Sequence, residues 1–211
     1  MRSRVAHRRV AVIIGIIVAL AAAAAVIALA VAALTAGEPA DPASPAAEPV
    51  TATDFCFVES MIFYRVESTY LADALLEKDE ISPEARAFAE ALNADETEKL
   101  DEGLRPWYVS WKEFRPLEPP AEGPCAGHGN HRQMPGMPTL ADWDALIAAD
   151  GVEAERLLAE YLIAQDQAII AFAQQVLETD PHSRVRESAE QAIDEAESEI
   201  AALEDLLADL P

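Results

Sequence analysis

Lysine is scarce in this chain: three lysines stand beside 12 arginines in 211 residues. Basic residues as a whole are few, 15 against 38 acidic ones, and every acidic residue lies at or after Glu38. The part beyond the first 37 residues carries 11 positive and 38 negative charges, a net of −27. Binding a polyphosphate needs the opposite sign, so a nucleic-acid partner is excluded. Such a surface also repels anionic lipid heads, and its plainest role is to keep a domain solvated. Glycine is limited to eight residues and forms no phosphate-cradling loop. No nucleophile–base pair and no Glu-x-x-His pair of the di-iron kind is present, so an enzyme is not expected. His182 is isolated just past a helix start and reads as solvated.

Cysteine is limited to Cys56 and Cys125. An even count in an exported domain favours a disulfide, here joining the start of the first helix to the central loop; two free thiols are the alternative.

Charge is absent altogether from Val10 to Gly37, a run rich in Ala, Ile, Val and Leu. A bilayer core needs about 20 apolar residues, so residues 10–37 are expected to span it as an anchor. Arg2, Arg4, Arg8 and Arg9 precede the run. The positive-inside rule then places residues 1–9 in the cytoplasm and the rest of the chain outside, at the cell membrane. A cleaved signal peptide is the competing reading, with small residues at Ala33-Leu34-Thr35-Ala36. Residues 38–53 are Pro, Ala, Glu and Ser in the main, and predict an extended tether.

Residues 54–211 are what remains to fold, and they carry an internal echo. Phe57-Val58-Glu59-Ser60-Met61-Ile62-Phe63-Tyr64-Arg65 returns 101 positions later as Leu158-Ala159-Glu160-Tyr161-Leu162-Ile163-Ala164-Gln165-Asp166. Each copy runs on to a matching pair, Leu71-Ala72 and Phe172-Ala173. Self-similarity of this kind implies a duplicated unit.

Helical periodicity fills both units. Asp54 is expected to cap a helix reaching Lys78, with Val58, Met61, Ile62, Leu71, Ala72, Leu75 and Leu76 on one face. Tyr64, Arg65 and Ser68 interrupt that apolar stripe. Ser82-Pro83 predicts a helix restart, serine as cap and proline at the first helical position. Pro106 is expected to kink or end this second helix, and Trp107, Tyr108, Trp111 and Phe114 to pack at the bundle end. Thr139 to Asp142 reads as a capping box with Asp in place of Glu. A short helix, a long one over 153–178, and a last one starting from Asp180-Pro181 complete the second unit. The pattern predicts an all-α, four-helix bundle made of two helical hairpins joined by one long crossover.

That crossover, residues 115–138, is dense in Pro and Gly. It brings His128, His131, Met134 and Met137 within ten residues of each other. Imidazole with thioether suits copper, and thioether favours Cu(I), so a flexible loop wrapping that ion is one reading. The other is a loop whose methionines pack on the helices and whose histidines face water.

The first repeat resembles the signature of the domain of unknown function (DUF) 305 family, whose pattern is Phe-Leu, two variable residues, Met-Ile, one more residue and His-His. Leu71-Ala72 is similar to the family's Met-Ala. Leu162 to Asp166 and Ala168 to Leu177 resemble its second copy. His128-Gly129 and Met134-Pro135-Gly136-Met137 resemble its central His-Gly and Met-Pro-Gly-Met. The resemblance implies an exported, ferritin-like four-helix fold, and copper or other metal binding through the paired histidines in some members. Both pairs are replaced here, by Tyr64-Arg65 and Gln165-Asp166. A guanidinium repels a metal rather than binding it, so no cofactor is expected at the family's bundle site. Arg65 and Asp166, equivalent in the repeats and opposite in charge, are instead expected to pair, flanked by Tyr64 and Gln165, with Glu59 and Glu160 as further partners for Arg65. Two functions compete: a non-enzymatic interaction or structural domain with a protein partner or a second copy, and a weak copper binder using the central loop.

Overall fold

The computed structural model describes residues 48–118, 121–126 and 129–211. The expected cytoplasmic tail and anchor lie outside the described residues, as do most of the tether and His128. Among the described residues all regular structure is helical, with no strand. None of these helices is long and apolar enough to cross a membrane.

Four long helices form the body: α1 (Ala52–Leu76), α2 (Pro83–Lys99), α5 (Gly151–Leu177) and α6 (Ser183–Ala208). Short α3 (Arg105–Trp111) and α4 (Leu140–Ala148) flank the crossover. Ser82 caps α2 as its sequence predicts: its hydroxyl accepts from the Ala85 amide at 3.1 Å, with Pro83 in the first turn. Thr139 and Asp142 form the expected capping box on α4.

Three helix boundaries differ from expectation. Thr51, not Asp54, caps α1: its hydroxyl accepts from the Asp54 amide at 3.2 Å while the Asp54 carboxylate accepts from the Thr51 amide at 2.7 Å. Asp54 is thereby freed to accept from the His182 amide at 2.8 Å, tying the starts of α1 and α6 together. Regular α2 stops at Lys99, ahead of Pro106, but the helical path continues through the proline. A π-helical stretch, Leu100–Leu104, lets the Arg105 amide reach back five residues to the Leu100 carbonyl, and α3 then runs on through the proline. Asp180 takes a positive φ of 52°, and the cap of α6 is His182, whose Nδ1 accepts from the Arg184 amide at 3.2 Å. His182 is therefore a half-buried capping residue lying 5.1 Å from the Trp111 ring, not a solvated one.

The apolar stripes converge on two core clusters. One gathers Phe57, Met61, Leu100, Ile169, Val185 and Ala192; Trp107, Tyr108 and Trp111 pack against it. The other gathers Leu71, Leu75, Leu92, Leu158, Leu162 and Leu203. Along α1 and α6 the chain passes from the first cluster to the second, across Arg65 and Ser68 and at Glu199. Along α2 and α5 it passes from the second to the first, across Glu96 and at Gln165 and Asp166. The core is thus two apolar halves separated by a polar layer. α1 and α5 cross antiparallel there: Phe57 stacks on Phe172 with centroids 5.9 Å apart, and Gln165 Nε2 donates to the Tyr64 carbonyl at 2.6 Å. Tyr64 and Gln165, which stand at equivalent places in the sequence echo, meet at this crossing.

Candidate functional site

The polar layer begins with Arg65, one turn beyond Met61 on the inner face of α1 and almost wholly buried. A buried guanidinium requires carboxylates. It finds Glu96 of α2, with Nη1–Oε1 at 2.5 Å, and Glu195 of α6, with Nη2–Oε2 at 3.0 Å. Lys99 bridges the same two helices, 2.8 Å from Glu195. Burial works against the charge on Arg65, but Glu96 and Glu195 outweigh it and hold the guanidinium above its ordinary range.

The expected Arg65–Asp166 pair is not formed. Both residues are buried in the layer, yet the forked guanidinium is taken up by Glu96 and Glu195. Glu160 is no partner either: it lies exposed on the outer face of α5 and pairs with Arg156. Asp166 makes no hydrogen bond among the described residues, and its Oδ2 is buried without a partner, as is Glu96 Oε2. Burial first, and the Glu199 charge second, push the Asp166 carboxyl up to about 9, against the pull of Arg65. Burial and the neighbouring Glu96 push Glu199 up to about 7. Gln165 does sit beside Tyr64 as expected, donating to the Tyr64 carbonyl and, at 3.0 Å, to Ser68 Oγ.

Glu59 belongs to a separate place, at the crossover. It is buried on α1, with Arg115 Nη2 at 3.3 Å and His131 Nε2 at 3.8 Å; the Tyr108 hydroxyl donates to it at 3.5 Å. One turn along, Phe63 stacks on the His131 ring at 3.5 Å between centroids. Tyr64 turns its hydroxyl to the Pro135 carbonyl at 2.9 Å, and its burial pushes that hydroxyl up to about 12. Met134 and Met137 are half-buried against the first apolar cluster. The expected disulfide is present: Cys56 and Cys125 are bonded, both buried. The crossover is thus held at Arg115, Cys125, His131, Pro135 and its two methionines. His131, Met134 and Met137 are brought to the same wall of α1 and α5. Among the described residues no group of three His, Cys, Asp or Glu could hold a metal.

Gly136 explains how the loop comes so close. Its φ is +76°, and a Cβ there would lie 2.6 Å from the Ala164 carbonyl oxygen and 2.8 Å from Ala168 Cβ. The obstacle is helix backbone, which does not give way. Gly136→Ala is expected to cost at least ~2 kcal/mol, strain and overpacking together, read as a lowered urea midpoint.

Sequence reasoning placed the polar intrusion on α1 but missed Glu96, Glu195 and Glu199 as its partners. The available signal was position: each falls on the helical spacing of an apolar stripe, Glu96 between Leu92 and Leu100, Glu199 between Ala196 and Leu203.

An all-helical domain with a divided core and a disulfide-pinned crossover is the class these features define. The chain belongs to the DUF305 family: residues 54–207 match the family described as Domain of unknown function (DUF305). The fold is similar to a DUF305 protein of Streptomyces coelicolor whose description calls it secreted, at 21% identity and a TM-score of 0.64, covering 75% of this chain and 93% of that one. It is also similar to a DUF305 fragment from Deinococcus radiodurans, at 22% identity and a TM-score of 0.61, covering 77% and 100% of the two chains. A third likeness is to CopM in its Cu(II)-bound form, at 22% identity and a TM-score of 0.55, covering 74% and 96%. No curated protein matches the chain.

Proposed function

We propose that this protein is a membrane-anchored, extracytoplasmic four-helix bundle of the ferritin-like kind that acts as a non-enzymatic interaction or structural domain. One observation carries the reading. The positions where the family resemblance places histidine pairs hold Tyr64-Arg65 and Gln165-Asp166, and these side chains serve the interior of the protein. Tyr64 holds the crossover, Gln165 holds α1, and Arg65 neutralises Glu96 and Glu195. A cation at that place would meet a fixed guanidinium. The disulfide agrees with an oxidising compartment, and the basic N-terminus before an uncharged run agrees with an anchor whose C-terminal side lies outside.

The likeness to a copper-bound protein and the anchored His131, Met134 and Met137 favour a second reading, in which the crossover holds Cu(I) weakly, with His128 as a further donor. The donors present fit that ion in kind, two thioethers and imidazole. They fit less well in placement, because His131 is stacked on Phe63 and both methionines pack on the core.

Competition titration of the full chain with Cu(I) separates the two. The first reading expects a dissociation constant weaker than millimolar. Micromolar or tighter binding that is lost in Met134→Leu/Met137→Leu would replace it with the second.

A further inference from the structure

Four carboxylates and two cations meet in the polar layer: Glu96, Asp166, Glu195 and Glu199 against Arg65 and Lys99. Counted as fully ionised, the layer carries a net charge of −2 between two apolar clusters. Like charges at that depth are not sustained, and the carboxyls that lack a cation take up protons instead. The geometry names them. Glu195 is matched by both Lys99 and Arg65, and Glu96 Oε1 by Arg65. Asp166, 6% exposed, has no hydrogen-bond partner among the described residues and faces Glu199, Glu96, Arg65 and Lys99. Glu199 faces Glu96, Asp95, Arg65 and Lys99.

We propose that this layer is a proton-binding site, formed by Asp166 and Glu199, whose occupancy sets how firmly α6 is held against α2. Two protons bring the layer to neutrality. Their release leaves two charges facing Glu96, that of Glu199 on α6 and that of Asp166 on α5. Lys99 of α2 and Glu195 of α6 are paired across the seam between their helices. Clefts of about 500 and 530 Å³ open on either side of the Lys99–Glu195 bridge, and both are lined by Asp95, Lys99 and Glu195. Glu199 lines the second cleft, so protons reach it from solvent without global unfolding.

The direction follows from linkage. Both carboxyls hold protons in the folded chain that they would lose when unfolded, where their ordinary values are 3.8 and 4.5. The stabilisation is fully present below those values. It is lost progressively as pH rises toward about 7 for Glu199 and about 9 for Asp166.

The test uses the full-length chain. Infrared spectra are expected to show a protonated carboxyl band at pH 7 that Asp166→Asn weakens, Glu199 supplying the remainder, and that bleaches as pH rises through 9. Hydrogen exchange in α2 and α6, corrected for its intrinsic pH dependence, is expected to accelerate as pH rises from the ordinary carboxyl range toward 9, and Glu199→Gln to blunt the part of that acceleration below about 7. If Asp166→Asn fails to fold, the wild-type spectrum and Glu199→Gln decide. Absence of any protonated carboxyl band from the wild type at pH 6, or pH-dependent exchange unchanged in Glu199→Gln, overturns the proposal.

Discussion

Arg65→Met is expected to destabilise the domain by roughly 3–5 kcal/mol, the usual cost of stripping one member from a buried ion cluster. Methionine fills much of the space, so the loss is electrostatic. Glu96, 1% exposed at its side chain, is left with Lys99 as its only ion-pair partner among the described residues, at 3.8 Å. Glu195 keeps Lys99 and should suffer less. A double variant, Arg65→Met/Glu96→Gln, removes the stranded charge and is expected to recover most of the loss, because a buried pair adds little net stability over neutral residues of similar size. Asp166→Leu in place of the Glu96 change should recover less, since Asp166 does not bond the guanidinium. Urea denaturation of the wild type and the three variants reads both comparisons, and equal stability of the single and double variants would remove the cluster from the account.

Removing the disulfide is expected to be comparable in size. The bridge closes a separation of 69 residues, for which the chain-entropy relation gives about 4 kcal/mol. Its two ends are well placed to deliver most of it. Cys56 lies in the first turns of α1 and Cys125 in the crossover, each buried. Cys56→Ala/Cys125→Ala should therefore lower the urea midpoint with no change in helix content by circular dichroism. A measured loss under about 1 kcal/mol would mean that Tyr64, Gly136 and His131 hold the crossover without the bridge, and that the unfolded chain gains little freedom from its absence.

Local devices and long-range contacts differ in how readily the sequence shows them. Ser82-Pro83 and Thr139-Asp142 were legible because a cap is a local device whose partners lie within three residues. The meeting of Tyr64 with Gln165 was legible for a related reason: the two stand at equivalent places in the sequence echo, 101 positions apart. The partner of Arg65 was not. Equivalence between repeats pointed to Asp166, but a guanidinium selects by reach, and α2 and α6 bring Glu96 and Glu195 to its two nitrogens. Those carboxylates are three of 38 acidic residues when Glu199 is included, and most of the others face water, so sign alone did not single them out. Pro106 misled in another way. Its missing amide would end an ordinary helix, yet one π-helical stretch before it lets the chain continue. The loop reading turned on contacts far apart in sequence. Nothing near Gly136 in the chain announces Ala164 and Ala168.

The division of the core also bears on alignment. Sliding any one helix along its axis by a single turn, about 5.4 Å, would carry its charged residue out of the layer and against leucines. Arg65 would meet Leu92, Leu162 and Leu203 of one cluster, or Glu96 would meet Met61, Ile169 and Ala192 of the other. Apolar stripes rich in alanine and leucine tolerate such slippage, because one small or branched residue replaces another at modest cost. A single ionic storey at mid-height does not. It acts as a vernier, fixing the vertical setting of four helices whose greasy faces alone would leave it loosely defined.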